Sequence, residues 1–199
     1  GSNRIYSYDP SSDTTAYRTF PKSGDLRIGA IQFHVFNNSE VYFLYLDNSS
    51  YATLFKYDPV ENTTTQISRR AYGEKTSYIS VAYNRQIILF GDNSSHVFNL
   101  DSDETGYYYA APDDIRKSAG MQIGSKIYLF QGNNFSYDDD NQNVYEFDPI
   151  ENVWSTIDVK VPVSGMSLFN NDGTILAFTA NEDVPAFTMN IPFSQDGKI

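Results

Sequence analysis

Cysteine is absent from the chain, which excludes a disulfide framework, a thiolate metal site and a cysteine nucleophile, and leaves the redox compartment unread. Histidine is limited to His34 and His96, and a lone histidine on a strand is ordinarily a packed or surface residue. Positive charge is scarce: 14 Lys and Arg stand against 25 Asp and Glu, a formal net charge of −11. A grip on nucleic acid or anionic lipid through overall charge is therefore disfavoured. No run of about 18 apolar residues suggests a membrane span. No segment keeps a 3.6-residue period over about 11 residues, so helix should be nearly absent. Gly-rich phosphate loops, Gly-x-Ser-x-Gly and His-Glu-x-x-His are missing as well. The expectation is a noncatalytic protein without cofactor or membrane insertion.

What is present suits a β-rich globular domain. Hydrophobic residues make up 40% and aromatics 16% of 199 residues, enough apolar surface for a sizeable core. We expect one domain over 3–199, with Gly1-Ser2 an expression scar. Acceptor triplets for N-linked sugar begin at Asn37, Asn48, Asn62, Asn93 and Asn134. They lean towards a secreted or cell-surface origin, although Asn and Ser also favour turns in their own right.

The chain repeats itself. "KYDPVENTTTQIS" at 56–68 is echoed by "EFDPIENVWSTID" at 146–158, and "YSYDPSSDT" and "VFNLDSDET" complete a series anchored on Asp9, Asp58, Asp101 and Asp148, at spacings of 49, 43 and 47. That period matches one small sheet. Each anchor leads into a polar, β-leaning stretch, then a loop, then two apolar strands with a short turn between them, such as "SYISVAY" and "QIILFG" joined through "YNRQ". Each unit then reads as four antiparallel strands, a to d, with a and b apolar and d polar. Asp-Pro begins the c–d turn: Pro presets φ near −65°, and Asp and Asn side chains bond local backbone. Repeats are expected at about 3–51, 52–95, 96–142 and 143–199.

The aromatic-Asp-Pro turn, Trp154 six residues after Asp148 and the "KIYLFQG" type of second strand resemble the kelch repeat of β-propellers, a group that includes galactose-oxidase-like propellers. The repeats are divergent: where the family carries a double glycine this chain reads Tyr45-Leu46, Gly91-Asp92, Gln131-Gly132 and Thr179-Ala180. The resemblance implies an all-β propeller of about four four-stranded antiparallel blades. Four a–b pairs face five c–d candidates, so three arrangements stay open. The first c–d pair closes the last blade, the chain is an excerpt of a larger ring, or two copies form a homo-oligomer that closes one.

Cations gather in one class of connection. The stretches 20–27, 69–76, 111–118 and 159–163, expected to be d–a loops, hold Lys22, Arg27, Arg69, Arg70, Lys75, Arg116, Lys117 and Lys160. In a propeller these loops enter nearest the axis, so Arg27, Arg69, Arg70, Lys75, Arg116 and Lys117 are the candidate ligand-binding residues, suited to a carboxylate or sulfate. A basic residue is also common before strand a of a kelch repeat, and Asp25, Glu74, Asp113 and Asp114 partly neutralise the set. Asp138 and Asp140 of "SYDDDNQN" could offer oxygen ligands to Ca²⁺, but the run lacks the glycine and terminal Glu of a dedicated loop. A galactose-oxidase type of copper site needs paired His and a cysteine-modified Tyr, which this chain does not have.

Three functions remain in view. The first is a noncatalytic binding module for a protein or an acidic glycan. The second is a carbohydrate-active enzyme or its degenerate relative, for which Asp25, Glu74 and Asp114 are the candidate carboxylates. The third is a structural, self-assembling domain.

Overall fold

The computed structural model describes residues 4–9, 11–19, 31–36, 40–46, 51–71, 79–91, 94–102, 104–108, 111–112, 115, 118–130, 143–159, 161, 167–171, 174–178 and 186–189. The chain divides into two compact units, Gly1–Lys75 and Thr76–Ile199. The described residues are all-β: they contain strands and turns and no helix, hence none long and apolar enough to cross a membrane.

In the first unit, β1 (Arg4–Asp9) and β2 (Thr14–Thr19) form a sheet of two. Strands β3 (Ile31–Phe36), β4 (Glu40–Leu46), β5 (Tyr51–Asp58) and β6 (Thr63–Ala71) form an antiparallel sheet of four in chain order. Strands β4 and β5 are buried almost continuously and β6 is mostly exposed, the apolar-to-polar gradient expected from a to d. The Phe43 and Phe55 rings stack at 4.9 Å across β4 and β5, within a cluster that also holds Tyr45 and Tyr57.

The second unit repeats the motif. Strands β7 (Ile79–Tyr83), β8 (Gln86–Phe90), β9 (Ser95–Asn99) and β10 (Thr105–Tyr108) form one sheet. Strands β11 (Ala119–Ile123), β12 (Lys126–Phe130), β13 (Val144–Asp148) and β14 (Val153–Ile157) form the next. Strands β15 (Ser167–Asn171), β16 (Thr174–Phe178) and β17 (Ala186–Met189) form a sheet of three. Among the described residues three sheets have four strands, the last has three and β1–β2 has two.

The three sheets of the second unit pack face on face. The period-2 geometry of a strand sends alternate residues to opposite faces. Ile127, Leu129 and Phe147 accordingly join Val81, Ile88 and Phe90 in one core, while Tyr128, Phe130 and Val144 join Ile175, Ala177 and Met189 in another. Both faces of β12 are buried, which explains the unbroken apolar run Ile127–Phe130. Trp154 and Phe147 reach Phe90 of the preceding sheet at 5.3 and 5.7 Å, both edge-on. The first strand of the middle sheet, β11, lies against β7 and β15. Gly120 permits that approach: a Cβ there would sit 2.5 Å from Val81 Cγ2 and 2.8 Å from Leu129 Cδ2.

The turns answer for the repeated Asp-Pro. Asp58 Oδ1 accepts hydrogen bonds from the N–H groups of Val60 and Glu61 at 2.8 and 3.0 Å, and Asp148 Oδ1 does the same for Ile150 and Glu151 at 2.9 and 3.1 Å. These bonds, Glu61 first, hold the Asp58 carboxyl below its ordinary pKa. Asp9 accepts from Ser11 and Ser12 instead and is lowered chiefly by the Ser11 hydroxyl. The fifth residue of each turn is left-handed, with φ of 51° at Asp13, 54° at Asn62 and 55° at Asn152, a conformation Asn and Asp tolerate best after Gly.

The anchor at Asp101 is corrected by the register. Phe147 pairs with Ile127 and Phe98 with Ile87, so Asn99, not Asp101, stands where Asp148 does. Asn99 Oδ1 accepts the Asp101 N–H at 2.9 Å, the same contact with an amide in place of a carboxylate. By the same register Thr105 stands where Trp154 does, while Tyr107, six residues past Asp101 as Trp154 is past Asp148, is exposed.

Candidate functional site

Among the candidate cations, Arg69 and Arg70 fall within the described residues; Arg27, Lys75, Arg116 and Lys117 lie outside them, as do Asp138 and Asp140. The structure moves Arg69 and Arg70 out of a loop: β6 runs on to Ala71. Its backbone bonds carry it there, since Thr53 pairs with Arg69 and Ala52 with Arg70. Neighbours along a strand face opposite ways, so the two arginines do not act as a twin. Arg69 is exposed and Arg70 half-buried. A bulge sets this phase, because Leu54 pairs with Ser68 and Phe55 with Gln66, leaving Ile67 as the extra residue.

The Arg69 guanidinium lies 4.2 Å from the centre of the Tyr51 ring, a cation–π stack on the surface. Tyr51 opens β5 and Arg69 nears the end of β6, so the pair marks the end of the sheet where the b–c and d–a connections meet. A stacked guanidinium directs its in-plane N–H groups sideways, the geometry that takes a carboxylate or sulfate in bidentate fashion.

Two further constellations escaped the sequence. In β3–β6, Lys56 Nζ donates to Glu40 Oε1 at 2.9 Å and the Tyr42 hydroxyl donates to the same oxygen at 3.2 Å. Hydrogen bonding to Glu40 raises the Lys56 pKa. In β11–β14, Glu146 takes the Lys126 ammonium on Oε1 and the buried Tyr128 hydroxyl on Oε2 at 2.8 Å. Burial and then the Glu146 bond push the Tyr128 phenol up. The register places Lys56 opposite Tyr42 and Glu146 opposite Tyr128, so the two sets are equivalent with their charges exchanged. Glu-x-Tyr or Lys-x-Tyr on strand b, with the opposite charge two residues before the turn Asp, was the available signal.

The histidines are packed. His34 pairs opposite Tyr42, and desolvation pushes its imidazole down to about 4, which leaves it neutral at neutral pH. His96 sits edge-on to Tyr107 at 5.1 Å, with the Ser94 hydroxyl 3.3 Å from its Nε2. No group of three metal-binding side chains occurs among the described residues.

Of the five sugar-acceptor asparagines, Asn62 is described, while Asn37, Asn48, Asn93 and Asn134 lie outside the described residues. Asn62 is architectural, because it holds the left-handed turn position and its Oδ1 accepts the Tyr57 hydroxyl at 3.0 Å. Asp13 and Asn152 occupy the same turn position without heading an acceptor triplet.

No family model matches the chain, and no curated protein does. Among solved structures it is similar to one described as "Structure of YjhT", with a TM-score of 0.56 and 16% identity over 72% of this chain. The chain spans 56% of the length of that structure. At this identity the likeness concerns the fold alone: an all-β protein assembled from antiparallel sheets of three and four strands.

Proposed function

We propose that these sheets are blades of a kelch-like β-propeller, whole or in part, and that the protein is a noncatalytic binding module which recognises a protein or an acidic glycan. Stacked sheets with adjacent first strands support the propeller reading, as does the recurring Asp-x-x-x-Asn turn. The exposed Arg69–Tyr51 stack carries the functional reading, because it offers a preoriented guanidinium beside an aromatic platform. Arg27, Lys75, Arg116 and Lys117 join this patch only on the propeller expectation. Secretion or surface display is part of the proposal and rests on the acceptor triplets.

A sulfated and carboxylated glycan array read at two salt concentrations tests this function. Arg69→Ala should weaken binding about tenfold, as loss of one charge-assisted bidentate contact does, and Arg69→Lys should restore only part. The half-buried Arg70 should matter less to the ligand. An Arg69→Ala protein with undiminished binding, or binding indifferent to salt, rejects the site.

A further inference from the structure

The opposite end of the same sheet holds an open hollow of about 550 Å³, lined in part by Glu40, Lys56, Asp58, Thr63 and Thr65. A second hollow, of about 220 Å³, lies on β7–β10 and is lined in part by Gln86, Asn99, Glu104, Gly106 and Tyr107. Register shows that the two are the same place in successive repeats. Val41 pairs with Tyr57 as Ile87 does with Phe98, and Lys56 pairs with Thr65 as Val97 does with Gly106. Glu40 thus corresponds to Gln86, Asp58 to Asn99 and Thr63 to Glu104.

We infer that these hollows bind uncharged saccharide, with the larger as the principal subsite. In the larger one the Lys56 ammonium bonds Glu40 and Asp58 Oδ1 serves the turn, so two carboxylates stand against one ammonium. An anionic ligand is therefore disfavoured there. What the hollow presents is a row of exposed hydroxyls, Thr63 and Thr65, next to a polarised ion pair, with Pro59 and the 79% exposed Val60 as an apolar wall. A pyranose has that same division: a C–H face for the wall and vicinal hydroxyls for polar groups that can both donate and accept. The smaller hollow repeats the polar part of that chemistry with other residues, amides at Gln86 and Asn99 and a carboxylate at Glu104. The larger hollow, polar with an apolar wall, carries the assignment, and the smaller one holds polar groups at the same position of a repeat in the other unit. This surface is separate from the Arg69 end, so it stands or falls independently of the acidic-ligand reading.

The shared chemistry is that of vicinal hydroxyls, whether on a free oligosaccharide or on a glycan attached to protein. Titration calorimetry and amide chemical shifts would be measured with free gluco-, manno- and galacto-configured oligosaccharides, and with a peptide bearing a neutral N-glycan. Salt-independent binding to one or more, with shifts at Thr63–Thr65, is expected. Thr65→Val, which removes one hydroxyl at constant volume, should weaken it about threefold to tenfold. The exchange of Glu40→Lys with Lys56→Glu reproduces the arrangement of Lys126 and Glu146, so it should fold and lose binding. Absence of binding to every uncharged probe, full affinity in either variant, or loss on Arg69→Ala instead would overturn the assignment.

Discussion

In sheet β3–β6 an acid on strand b and a lysine on strand c close around Tyr42; in β11–β14 the lysine is on b and the acid on c, around Tyr128. The positions are the same and the signs are reversed. In these two sheets a tyrosine hydroxyl is satisfied by a carboxylate with an ammonium to neutralise it, in either polarity, whereas the same positions of β7–β10 hold Gln86, Ile88 and Val97. The sites differ in their access to water. Side-chain exposure is 45% and 26% for Lys56 and Glu40 against 26% and 15% for Lys126 and Glu146. The inner pair serves packing between sheets, whereas the outer one borders an open hollow.

The largest contrast should come from removing the acids. Glu146→Ala removes the carboxylate that accepts from both an ammonium and a buried phenol and should cost about 2–3 kcal/mol in urea unfolding. Glu40→Ala also removes an acceptor of a buried phenol, Tyr42, but at a more solvated ion pair, and should cost less, about 1–2 kcal/mol; equal losses would break the comparison. Next in size is the turn residue: Ala in the left-handed region costs about 1–2 kcal/mol, so Asn152→Ala should lose that much. Asn62→Ala should lose more, because the Tyr57 hydroxyl also loses its acceptor.

The comparison is also sharpened through pH. His34 faces Tyr42, while Met121 holds the corresponding place opposite Tyr128. With a folded value depressed from 6.5 to about 4, His34 contributes stability that is fully present above pH 6.5 and is lost as pH falls towards 4. Protection from hydrogen exchange, referred to the intrinsic rate at each pH, should therefore fall in β3–β6 across that window and hold in β11–β14; His34→Met should abolish the difference. The depressed carboxylates Asp9 and Asp58 act in a lower range, below their ordinary 3.8.

Strand pairs and Asp-Pro turns were legible because both are local: alternation along four to eight residues marks a strand, and turn chemistry acts over two or three. The Asp101 anchor misled because Asn99 can do the work of an aspartate, so the repeat kept its geometry and lost its letter. The charge-exchanged triads were hidden for another reason. Their members lie 16 and 18 residues apart and meet only through cross-strand register. Arg69 and Arg70 read as loop because cations favour connections, yet the ladder to Thr53 and Ala52 extends the strand past them.

The extra residue at Ile67 works as a phase shifter. Every side chain downstream of it points to the face it would otherwise have avoided, so one inserted residue decides which arginine meets solvent and which turns inward. Shortening the chain by that single position would exchange their places while leaving composition and charge almost untouched, and a surface of this kind can be retuned by strand length as readily as by substitution.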